Sequence, residues 1–63
     1  MKNFIISYKK NEQFQKLIIE AENLEKAEKF FNNYKSNAIL YGIVERANIE
    51  AELKKRVPFV KAK

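Results

Sequence analysis

Five residue types are absent from this 63-residue chain: Cys, His, Asp, Thr and Trp. Without Cys there is no disulfide framework, no thiolate nucleophile and no thiolate zinc site. Without His there is neither an imidazole base nor a His metal ligand. Glycine and proline occur once each, which leaves no Gly-rich phosphate loop and little room for flexible linkers. No apolar run approaches the roughly 18 residues of a membrane span. The start, with Phe4-Ile5-Ile6 as its one early apolar stretch, is too short for the core of a signal peptide. A cytoplasmic chain is the expectation.

What is present is a composition of 46% apolar and 33% charged residues, within the range of a folded domain. A chain of this length holds one domain, residues 1–63, with a small core. Such scaffolds gain only about 3–5 kcal/mol from that core and commonly lean on disulfides, metals or association. With disulfides excluded, a partner surface becomes the expected cover for spare apolar area, supplied by a second copy in a homodimer or by another protein.

The patterning predicts an α+β fold of β-β-α-β type, half of a ferredoxin-like antiparallel sheet with one packed helix, plus a short C-terminal helix. Asn3 to Lys9 alternates, with Phe4, Ile6 and Tyr8 on one face and Ile5 and Ser7 on the other. A short polar connection containing Asn11 leads to a second strand over 14–21, which carries Leu17, Ile19 and Ala21 on one face and Ile18 on the other. Asn23 is a helix N-cap, with Glu25 in the first turn where the dipole favours an acid. Leu24, Ala27, Phe31 and Tyr34 then form an apolar stripe beside Phe30. Ala38 to Arg46 reads as a third strand with Ile39, Tyr41 and Ile43 on one face and Leu40, Gly42 and Val44 on the other, apolar on both sides and therefore expected to be covered twice. The first strand is expected between the second and third. Residues 48–57 fit a strand by the alternation of Ile49, Ala51 and Leu53, or a helix by Ile49, Leu53 and Val57. Helix-forming composition and a cap at Asn48 favour the helix, which Pro58 ends.

Catalysis is not expected. The carboxylate pairs Glu20/Glu22 and Glu50/Glu52 have the spacing of acid–base or metal sites, but a single helix on three strands offers no deep cleft to shift their protonation. Solvated surface acids are the better reading, with no metal and no cofactor. The formal charge of +5 is uneven: residues 1–19 carry +3, 20–36 carry −1, 37–53 carry −2 and 54–63 carry +5. The C-terminal set Lys54, Lys55, Arg56, Phe59, Lys61 and Lys63 is therefore a candidate for nucleic-acid phosphates, with the aromatic stacking on a base. The competing reading is a solubilising tail whose lysines suit a helix end. Eight aromatics exceed what one helix can bury. Tyr8 and Tyr41 are expected side by side on an exposed sheet face, flanked by Lys9, Lys10 and Arg46, a composition typical of protein-interface hot spots.

The junction Ile19-Glu20-Ala21-Glu22-Asn23-Leu24-Glu25-Lys26-Ala27 resembles the strand-to-helix step of small proteins from Gram-positive phages and conjugative elements, the DpnD/PcfM-like group among them. About half the chain is covered, and the segment from Asn48 to Pro58 has no counterpart. The AT-rich codons of Lys, Asn, Ile, Phe and Tyr, 33 of the 63 residues, fit a low-GC host. The resemblance implies a stoichiometric binder of a host or viral protein, as anti-CRISPR inhibitors of defence nucleases are. DNA mimicry by an acidic surface does not apply to a basic chain. The expected function is thus a non-catalytic protein-binding module; a small basic nucleic-acid-binding protein is the alternative.

Overall fold

The computed structural model describes residues 1–62. The chain forms β1 (Lys2–Lys10), β2 (Gln13–Ala21), α1 (Leu24–Tyr34), β3 (Ile39–Glu45), α2 (Glu50–Lys54) and β4 (Phe59–Lys61). The α+β class and the β-β-α-β order with a short later helix are present as expected. The four strands lie in the order β3-β1-β2-β4, with β1 antiparallel to both β2 and β3 and β4 parallel to β2. The sheet is therefore mixed rather than purely antiparallel, and β4 is an element the patterning did not predict.

The β1–β2 hairpin turns on two residues, Asn11 and Glu12, whose φ values of 52° and 64° are both positive. That is the signature of a type I′ turn, whose twist matches the flanking strands. Asn tolerates this region and Glu does so at a cost. At the other end of β2, Asn23 caps α1 as its sequence position suggests: its Oδ1 accepts from the Lys26 amide at 2.9 Å.

Cross-strand partners project from the same face, so the register sorts the side chains. On the α1 face Phe4 pairs with Ile19 and Ile6 with Leu17; with Tyr8, Ala21, Ala27 and Phe31 these form one buried cluster. The helix contributes less of its stripe than expected. Ala27 and Phe31 are buried, whereas Leu24 and Tyr34, at its two ends, are about half exposed. An 11-residue helix is about 16 Å long, and only its middle, with Ala27 and Phe31, is buried against the sheet. Tyr34 instead stacks on Phe30, with ring centroids 5.6 Å apart.

Both long connections join parallel strands, β2 to β3 and β3 to β4, and they run across the sheet in opposite directions. Right-handed crossovers in opposite directions lie on opposite faces. The 46–58 connection with α2 therefore spans the face away from α1, where Ile5 and Ile18 are buried outside the α1-side cluster. Its helix is shorter than the expected 48–57. Asn48 Oδ1 accepts from the Glu50 amide at 2.9 Å, and past the helix end at Lys54 the left-handed residue is Arg56, whose φ is 62°. There the Val57 amide donates to the Glu52 carbonyl (3.1 Å) and the Arg56 amide to the Leu53 carbonyl (3.0 Å), a Schellman pair with arginine in the position usual for glycine. Pro58 then delivers the chain to β4, its carbonyl accepting from the Ile18 amide at 2.8 Å.

Candidate functional site

The two tyrosines expected to lie together are on opposite faces of the sheet. Tyr8 is 2% exposed, its ring tilted on Phe31 at 5.3 Å and its hydroxyl donating to Gln15 Oε1 at 2.9 Å. It belongs to the core, following the parity of Phe4 and Ile6. Tyr41 is 58% exposed on the other face. The cause of the separation is a bulge. Ser7 pairs with Gly42 and Tyr8 with Leu40, so Tyr41 is an extra residue with no partner on β1. The extra residue breaks the alternation of β3. Leu40 and Ile43 both pack on the α1-side core, while Ile39, Tyr41 and Val44 are left on the other side. The expectation that β3 is covered twice fails for the same reason: these three residues are exposed.

What assembles around Tyr41 is a different set. Phe14, 68% exposed, meets Tyr41 edge to face with ring centroids 5.1 Å apart. Lys9, paired in register with both Phe14 and Ile39, places its Nζ 5.5 Å from the centre of the Phe14 ring. Lys16, opposite Ser7, lies on the same face one step inward. Phe14, Ile39 and Tyr41 with Lys9 and Lys16 thus form a contiguous open patch at the hairpin end of the sheet, beyond the part that the 46–58 connection covers. Lys10 is adjacent but projects to the α1 side. Arg46 is not part of the patch: it follows the Glu45–Phe4 pair, about 20 Å along the strands from Lys9. Phe14 was absent from the expected site. The available signal was its alternation with Lys16 and Ile18, which puts it on the face that α1 does not use.

The C-terminal basic set is divided. Lys54 pairs with Glu50 at 3.7 Å on α2, Lys55 and Arg56 form the helix end, and Lys61 lies in β4 opposite Glu20. Phe59 is in β4, in register with Ile18, and is exposed. Lys63 lies outside the described residues. A groove of about 370 Å³ runs between α1 and the end of β2, floored by Ala21, Phe30 and Ala62. Its one carboxylate, Glu22, is held by Lys26 at 3.0 Å. Among the described residues no three His, Cys, Asp or Glu side chains converge, and no helix is long and apolar enough to cross a membrane. No family model, curated protein or solved structure matches the chain.

Proposed function

We propose that this chain is a non-catalytic protein-binding module that docks one partner protein through the open half of its sheet. The observation that carries the reading is the set Phe14, Ile39 and Tyr41 on the face away from α1, exposed together at the hairpin end, with the rings of Phe14 and Tyr41 already edge to face. Small domains rarely leave two rings and a branched aliphatic side chain bare on a sheet without a use for them. Aromatic residues of this kind supply most of the energy at protein interfaces. In the setting suggested by the resemblance to DpnD/PcfM-like proteins, the module is a cytoplasmic accessory of a phage or mobile element, acting on a host protein such as a defence nuclease by occupying its surface.

The test is capture from the source cell with tagged wild-type chain beside Phe14→Ser and Tyr41→Ala. Both variants are expected to keep the wild-type melting temperature within a few degrees and to lose the captured protein. Undiminished capture by Phe14→Ser overturns the reading. A second reading, nucleic-acid binding through Lys54, Lys55 and Arg56, is favoured by their grouping at one helix end. It predicts affinity that falls steeply with salt and disappears on replacing the three with Gln.

A further inference from the structure

The charge of the molecule is segregated by the sheet. On the α1 side and in the hairpin turn, five lysines are balanced by five glutamates. On the other side, counting the strand residues that face it and the 46–58 connection, seven Lys and Arg stand against three Glu. The net charge of the described residues therefore lies entirely on the side that carries the open patch. Within that side the acids are placed away from the patch. Glu20 is opposite Lys61 at the far end, Glu50 is bound to Lys54 and Glu52 lies with them on α2. Lys9 and Lys16, which stand in the patch, have no acid within salt-bridge distance among the described residues.

We infer that the partner presents an acidic protein surface, with carboxylates that meet Lys9 and Lys16 around an apolar centre that meets Phe14, Ile39 and Tyr41. The inference rests on the docking reading above and names the chemistry of its partner. A second copy of the chain is the wrong occupant, because face-to-face pairing would bring two net-positive sides together. Single-stranded nucleic acid fits the charge but not the rings. The Phe14–Tyr41 contact covers a face of one ring and the Lys9 ammonium sits over Phe14, which removes stacking surface that bases would need. Ile39 adds aliphatic surface beside the rings, which suits a protein better than a base.

Two dodecapeptides sharing four leucines and two tyrosines, one with six glutamates and the other with six lysines, provide defined probes, with a dodecathymidine strand as the third. Titrations of the full ¹⁵N-labelled chain at 50 and 300 mM NaCl are expected to show the glutamate peptide binding at least tenfold more tightly than the lysine peptide. The shifts should centre on Lys9, Phe14, Lys16 and Tyr41 and weaken at the higher salt. Lys16→Glu, an exposed substitution, should cancel the preference, and the Lys9→Glu/Lys16→Glu double variant should reverse it. Equal binding of the two peptides overturns the inference, as does tenfold tighter binding of dodecathymidine or dimerisation of the chain through Phe14 at 50 mM NaCl. The same variants separate the two levels in cell capture. Loss with Phe14→Ser but retention with Lys9→Glu/Lys16→Glu keeps the docking reading and removes the acidic partner. Retention with Phe14→Ser removes both.

Discussion

The two faces of this sheet are made from the same four strands and meet different fates. Toward α1, Phe4, Ile6, Tyr8, Leu17 and Ile19 interlock with Ala27 and Phe31, and among the described residues no charged side chain is buried with them. Away from α1, Ile5 and Ile18 are buried where the chain crosses over, and the hairpin end is left bare. One helix of 11 residues covers a face, whereas a crossover whose helix has only five residues covers part of one. The difference shows how a chain too small for two full layers can satisfy its stability on one side and keep apolar surface available on the other.

Removing one ring from each face separates their roles most sharply. Phe31→Ala deletes a buried ring at the centre of the closed face, a change that costs about 3–5 kcal/mol, the whole stability expected of a domain this size. Loss of the cooperative thermal transition in circular dichroism is the expected outcome. Phe14→Ala removes an equal ring from the open face and should change stability by only about 0.5 kcal/mol. Comparable losses from the two would show that the open face is structural. Ile18→Ala tests the covered part of the second face. Ile18 is fully buried there, so urea denaturation should register a loss of about 2–4 kcal/mol. A loss under 1 kcal/mol would mean that the 46–58 connection does not hold that side chain from water.

The closed face was readable in the sequence because its residues keep strict parity. Phe4, Ile6 and Tyr8 alternate through β1, Leu17, Ile19 and Ala21 through β2, and Asn23 marks the helix start with a side chain suited to capping it. The open face was not readable, for two reasons. A bulge adds one residue without any change in composition, so nothing in Ile39-Leu40-Tyr41-Gly42-Ile43 announces that Tyr41 leaves the alternation. And parity assigns residues to two faces without saying which one a helix will cover, which is how Tyr8 came to be expected in the open. The strand β4 escaped notice because three residues after a proline carry too little pattern. Its pairing with β2 is parallel and more than 35 residues distant in sequence.

A finer contrast separates the two tyrosines by their hydroxyls. Tyr8→Phe removes the donor to Gln15 Oε1 and should cost about 0.5–1.5 kcal/mol, the net value of a typical hydrogen bond. Tyr41→Phe removes a hydroxyl on an exposed ring and should leave the melting temperature unchanged. Equal effects would mean that the Tyr8 hydroxyl is no better satisfied by Gln15 than by water.

The smallest expected effect concerns the turn that joins the two central strands and so sets their register. Glu12 holds a φ of 64° in the second turn position, where a side chain is disfavoured and glycine is not. Glu12→Gly would create the Asn-Gly pair that type I′ turns prefer. The relief of backbone strain is partly offset by the greater freedom of glycine in the unfolded chain, so the net gain should be about 0.5 kcal/mol, a rise of roughly 2–4 °C in melting temperature for a domain of this size. The substitution also removes the one carboxylate next to Lys10, which raises the positive charge at the hairpin end. The variant should therefore bind the glutamate peptide somewhat more tightly while its core is unchanged. A more stable chain with unaltered peptide affinity would confine the charge effect to Lys9 and Lys16, and a less stable one would show that Glu12 makes an interaction the turn geometry alone does not explain.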